Sequence, residues 1–137
     1  MKVVAYNIRA FEKESLAKAN QKKHEITLIS DPLTLDNVGY ADGKEAAIID
    51  AGDDLSAQVI AQLAQKGIKF IATRSKSTQN IDLIAASLYR IKLANISEAE
   101  SVQEIALQTI TNLDNWQQNK CVGNACICAK NCRQPSN

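Results

Sequence analysis

Five short apolar runs, each followed by a segment with helical spacing, recur along this chain. That alternation restricts its fold more than any other feature. The runs are Val3-Val4-Ala5-Tyr6, Glu25-Ile26-Thr27-Leu28-Ile29, Ala46-Ala47-Ile48-Ile49, Phe70-Ile71-Ala72-Thr73 and Ile91 to Ile96. The third run has no polar residue, the pattern of a strand covered on both faces. Between the runs, Phe11 to Asn20 reads as a helix with Phe11, Leu16 and Ala19 turned inward, and Asp31-Pro32 marks a turn. Thr34 to Ala41 reads as a short helix broken by Gly43. Ser56 reads as the cap of a helix with Val59, Ile60 and Leu63 inward and Gly67 as its stop. Asn80 reads as the cap of a helix over Ile81 to Tyr89.

Strands and helices alternating at this spacing build an open parallel sheet with helices on both faces. The expected α/β architecture is flavodoxin-like, five parallel strands in the order 2-1-3-4-5, occupying residues 1–96. Ligands of such folds sit outside the carboxyl ends of the strands, near the switch point between the first and third. The loops placed there are Asn7-Ile8-Arg9-Ala10, Asp50-Ala51-Gly52-Asp53-Asp54 and Arg74-Ser75-Lys76-Ser77-Thr78. Residues 97–120 then form a long amphipathic C-terminal helix. Ser97 and Glu100 have the spacing of a capping box, and Val102, Ile105, Ala106, Ile110, Leu113 and Trp116 recur at three- and four-residue steps. That stripe must dock on the sheet domain, on a second copy of the chain or on another protein.

The chain of 137 residues, 45% of them hydrophobic, suffices for one compact domain and not two. A net charge of +1 disfavours a uniformly basic nucleic-acid binder. No apolar run approaches the roughly 20 residues that span a bilayer, and the opening Met1 to Tyr6 is too short for a signal peptide. A cytoplasmic protein with neither membrane nor nucleic-acid partner is expected, its cysteines reduced or metal-bound. All four lie in a tail over residues 121–137. Cys121, Cys126, Cys128 and Cys132 form C-x4-C-x-C-x3-C, a thiolate set that suits zinc or an iron–sulfur cluster. The competing readings are a redox or disulfide role and plain reduced thiols. The single histidine, His24, reads as a surface residue far from the expected cleft.

Four stretches carry a family likeness: Ala5-Tyr6-Asn7-Ile8-Arg9, Pro32-Leu33-Thr34, Asp53-Asp54-Leu55-Ser56 and Ala72 to Leu83, the last holding Arg74-Ser75 and Asn80-Ile81-Asp82. With Ile91 to Ile96 they resemble, in order and spacing, the substrate-binding (catalytic) domain of D-2-hydroxyacid and D-lactate dehydrogenases. The resemblance implies that backbone amides after the fourth strand hold a small carboxylate, with Tyr6, Asn7, Arg9, Arg74, Ser75, Lys76, Ser77 and Thr78 as ligand-binding candidates. The family uses a glycine in that loop; here Ser77 adds a side chain where the family leaves a gap, and Lys76 adds a charge.

The arginine, histidine and acid that do the family's chemistry lie beyond the matching stretch, so no catalytic residue is assigned. The long helix resembles the family's final helix, as though the cofactor domain had been cut out at its hinges. The five glycines, Gly39, Gly43, Gly52, Gly67 and Gly123, contain no G-x-G, so no NAD site is expected. A phosphoreceiver is excluded by Asn7, which stands where paired acids are needed. Two readings follow. One is a non-catalytic small-molecule-binding or regulatory module with a metal- or redox-responsive tail. The other is an oxidoreductase part that needs a partner to supply the NAD-binding domain, joined through the C-terminal helix or the former hinge.

Overall fold

In a computed structural model, which describes residues 1–127, the five strands form one parallel sheet in the order β2-β1-β3-β4-β5. They are β1 (Lys2–Ala5), β2 (Glu25–Leu28), β3 (Ala46–Ile49), β4 (Phe70–Thr73) and β5 (Lys92–Ala94). The crossovers are α1 (Ala10–Asn20), a 3-10 helix (Leu35–Ala41), α2 (Ala57–Lys66) and α3 (Leu83–Leu88); α4 (Val102–Gln117) follows β5. Gly67 ends α2 in the left-handed region at φ 107°, which its missing Cβ permits.

Because side chains alternate along a strand, the sheet has two unlike faces. One presents Val4, Tyr6, Ala47, Ile49, Ile71 and Leu93 to the 3-10 helix, α2 and α3. The other presents Val3, Ala5, Ala46, Ile48, Ala72 and Ala94 to α1 and α4. Four alanines among those six leave room for two helices to lie close. Into that room α4 puts Ala106, Ile110, Leu113 and Trp116, and Trp116 stacks on Phe70 with ring centroids 4.9 Å apart. The stripe of α4 is thus covered within its own chain. Past α4, residues assigned to the tail turn back over the edge of the sheet. Asn95 N donates to Ala125 O and Ile127 N to Leu93 O, both at 3.0 Å, in an antiparallel run along β5.

Four expectations about these elements are corrected. Phe11 is exposed, and α1 instead buries Leu16 with the polar Glu12 and Ser15, because Glu12 is drawn inward by an arginine. Asp82, not Asn80, caps α3 by accepting from Ala85 N. Ser101, not Ser97, caps α4: it accepts from Glu104 N while Glu104 accepts from Glu100 N. The chain holds two consecutive S-x-x-E patterns, and Ser97 is engaged elsewhere, giving its N–H and hydroxyl to Gln108 Oε1. Finally, His24 is buried. Its Nε2 lies 2.8 Å from Asp114 of α4 and its Nδ1 3.3 Å from the Met1 amine, while Asn20 brackets its backbone. Lys23 Nζ completes the cluster 2.7 Å from Asp114.

Candidate active-site loops at the carboxyl end of the sheet

The loops after β1, β3 and β4 meet at one end of the sheet, and a buried arginine joins them. Arg74 leaves β4 with its N–H bonded to Ile49 O and its side chain almost wholly enclosed. Its Nε donates to Glu12 Oε2 at 2.9 Å, Nη1 to Tyr6 O at 3.0 Å and Nη2 to Asn7 O at 2.8 Å. Asp50 Oδ2 lies 3.6 Å from Nη2. A guanidinium surrounded in this way is a clamp that fixes the β1 loop and the start of α1 against β4. It is not an arm free to take a ligand.

Asn7 stands beside it at φ 60°, a conformation asparagine tolerates better than most residues, with its N–H on Asp31 O. Tyr6 does not face the cleft: its ring is fully buried and its hydroxyl donates to Asn37 O. Burial, helped by Asp53 and Tyr40, pushes its phenol well above the usual range. Arg9 is the exposed cation of the group, 3.4 Å from Asp50 Oδ2 and over the Phe11 ring.

A second tie joins the β2 and β3 loops. The carboxylate of Asp53 accepts from Leu33 N at 2.9 Å and Asp50 N at 2.7 Å. Burial raises its pKa despite those two bonds and the nearby Arg74 charge, which act in the opposite sense. Asn80 donates to both Asp50 O and Asp53 O at 3.0 Å, hanging the β4 loop on the β3 loop. Asp53 and Asn80 lie in stretches the sequence already placed near the site, though not in these tying roles. Glu12 was missed, and its only signal was an acid in the first turn of α1.

The loop after β4 is held by its own hydroxyls. Thr73 Oγ1 accepts from Ser75 N, Ser75 Oγ from Ser77 N and Ser77 Oγ from Gln79 N, at 3.0–3.2 Å. Every second amide is therefore used internally. The N–H groups of Lys76, Thr78 and Asn80 between them have no partner among the described residues. The Ser77 hydroxyl turns back along its own loop rather than across the cleft. On its carbonyl side the loop is anchored by Ile96 N to Ser75 O and Asn95 Nδ2 to Lys76 O. Lys76 Nζ lies 3.3 Å from Glu98, both exposed.

Beside these loops a crevice of about 240 Å³ opens between Ile8, Arg9, Phe11, Asp50, Val102 and Ile105. A broader groove of about 760 Å³ lies along α1 and β2 around Lys2 and His24. That groove is at the amino ends of the strands, away from all the loops that converge here.

The fold and these loops define a catalytic domain of dehydrogenase type, and sequence comparison agrees. The family model for the D-isomer specific 2-hydroxyacid dehydrogenase catalytic domain matches residues 3–127, so the chain belongs to that family. The likeness therefore runs past Ile96 and through α4. The D-lactate dehydrogenase of Lactiplantibacillus pentosus is 31% identical over 116 residues, 82% of this chain and 34% of that protein. That of Escherichia coli K12 is 30% identical over 117 residues, 83% of this chain and 36% of the relative. The apo structure of D-lactate dehydrogenase from E. coli superposes with a TM-score of 0.71 at 28% identity, over 87% of this chain and 39% of that one. The chain thus spans about a third of the length of the curated relatives it matches.

A nicotinamide dinucleotide does not fit the described residues. The β1 turn enters α1 through Asn7, Ile8 and Arg9, without glycine, and the β3 turn carries only Gly52, where an added Cβ would lie 3.4 Å from Asn7 Nδ2. The crevice is smaller than ordinary small-molecule sites of about 300–1,000 Å³. Among the described residues no cluster of three histidine, cysteine or acidic side chains could hold a metal. Cys121 is an exposed free thiol, and Cys126 lies on the run along β5. Cys128 and Cys132 lie outside the described residues. No described helix is long and apolar enough to cross a membrane.

Proposed function

We propose that this chain is a carboxylate-binding module of the 2-hydroxyacid dehydrogenase family, which takes a small 2-hydroxy or 2-oxo acid on the loop after β4. The observation that carries this reading is the set of three amides, Lys76, Thr78 and Asn80, that have no partner among the described residues, on a loop whose other amides are satisfied. Backbone N–H groups left without a protein acceptor are available to an anion. A partner-dependent enzyme half is the weaker reading, because the connection from β5 into α4 is closed. Asn112 Nδ2 reaches Asn95 O, Gln108 holds Ser97 and Ile96 is buried.

Catalysis by the chain alone is not part of the proposal, since the described residues offer neither a dinucleotide site nor a histidine at the cleft. Titrating the ¹⁵N-labelled chain with D-lactate or pyruvate should shift the amide resonances of residues 76–80 before any others. Mixing it with NADH and pyruvate should leave the 340 nm absorbance unchanged. An unmoved amide spectrum at millimolar acid would refute the binding, and steady NADH oxidation would refute the non-catalytic reading.

A further inference from the structure

We infer that the ligand is a dianion, a 2-hydroxy or 2-oxo dicarboxylate, and that Lys76 is the residue that selects it over lactate. The inference rests on the carboxylate reading above and adds a specificity to it. Three observations carry it. First, the unpaired amides supply partners for one carboxylate only, and the neighbouring guanidinium that could take a second is already spent on Glu12, Tyr6 O and Asn7 O. Second, the same turn bears an ammonium. Lys76 follows Arg74 by two residues, its own N–H is one of the unpaired amides, and its side chain is about two-thirds exposed. Third, that ammonium is paired across the loop with a carboxylate, Glu98, that is itself exposed, at 3.3 Å. An exposed pair of this kind contributes little and exchanges readily. A second ligand carboxylate can replace Glu98 on Lys76 without any change in the fold.

The neighbouring charges agree with this assignment. Arg9, the other exposed cation at this end, is held by Asp50 and lies near Glu12, which leaves little positive charge there for an anion. Lys76 faces one exchangeable acid on a surface loop. A monocarboxylate would occupy the amides and leave the Lys76–Glu98 pair as it is. A dicarboxylate such as malate has a second carboxylate to offer the Lys76 ammonium in place of Glu98.

The test is a pair of titrations of the full chain, D-lactate against D-malate, at equal ionic strength and read on the amides of residues 74–80. Malate is expected to bind three- to five-fold more tightly, the size one exposed ion pair supports. Lys76→Ala should bring the ratio of the two affinities to about one, and Glu98→Gln should increase it by freeing the ammonium. Unchanged chemical shifts outside the loop show that each variant is folded. Equal affinities for the two acids, or a malate preference that survives in Lys76→Ala, would overturn the inference while leaving the carboxylate site standing. If neither acid moves the loop, the carboxylate reading itself falls.

Discussion

The two faces of the sheet are assembled by different means. Under α2, α3 and the 3-10 helix, Val59, Ile60 and Leu63 meet Val4, Ala47, Ile49 and Ile71, and apolar contact supplies most of the attachment. Under α1 and α4 the sheet is lined with alanine and offers less area per residue, and buried charge supplements the contact. Arg74–Glu12 pins the start of α1, and His24–Asp114 with Lys23 pins the last turns of α4 to the corner between α1 and β2. Apolar packing sets how strongly a helix adheres, and polar ties set where along the sheet it stops. The face that carries the clamp also adjoins the crevice, so position matters most there.

The largest effect should come from breaking the apolar part of the α4 face. Leu113 is fully buried, and Leu113→Asp places an unpaired charge inside the apolar cluster between α4 and the sheet or forces α4 off it. The cost should be roughly 5 kcal/mol, enough to unfold a domain of ordinary stability. Ile105, only partly buried on the same stripe, should lose less on the same change, about 2 kcal/mol. Equal urea midpoints for the two variants would mean that α4 is undocked in solution.

The buried clamp comes next. Arg74→Met keeps the volume but leaves Glu12 buried without its partner, at roughly 3–5 kcal/mol. For scale, Leu63→Ala on the opposite face should cost about 3 kcal/mol through its cavity alone. The two losses separate in hydrogen exchange. Arg74→Met should loosen residues 7–12 ahead of the rest, whereas Leu63→Ala should lower protection throughout.

His24→Ala removes one of the two groups that pair with Asp114, and Lys23 remains. We expect about 2 kcal/mol, with faster exchange confined to the C-terminal half of α4. Loss spread evenly over the sheet would show that the histidine is only filler.

The smallest effect tests the tie outside both faces. Asp53→Asn leaves one of the amides of Leu33 and Asp50 without an acceptor and should cost about 1 kcal/mol. Its pH dependence has a definite sign. Burial raises the Asp53 pKa in the folded state, so the folded protein holds that proton more firmly than the unfolded chain. The stability this contributes is complete below the ordinary aspartate value and is lost as pH rises through the folded one. The penalty of Asp53→Asn should therefore shrink between those two points. Urea midpoints measured from pH 3.5 upward check it, and a penalty that grows over that window would reverse the assignment.

What could be read from the residues alone was whatever depends on neighbours in the chain. The unbroken Ala46–Ile49 run, the Val59-Ile60-Leu63 stripe and the Gly67 stop placed β3 and α2 to within a residue, because period and turn chemistry are local. The strand order was chosen as the flavodoxin-like one among the few topologies that right-handed crossovers leave, and the sheet has it. The loops of the candidate site followed from the order. Local signals failed where two were equal or where a distant charge intervened. Ser97 and Ser101 have the same pattern, and only the reach of Gln108 decides between them. Phe11 outranks Glu12 on any apolar scale, yet Glu12 is inside because Arg74, 62 residues away, needs its carboxylate. His24 reads as surface until Asp114, 90 residues on, closes over it. Tyr6 and Arg74 were rightly placed at the carboxyl end of the sheet, but whether they face a ligand or the core was not theirs to encode. That depends on which partners the fold brings within 3 Å, and such partners are set by the whole tertiary arrangement rather than by any stretch of sequence.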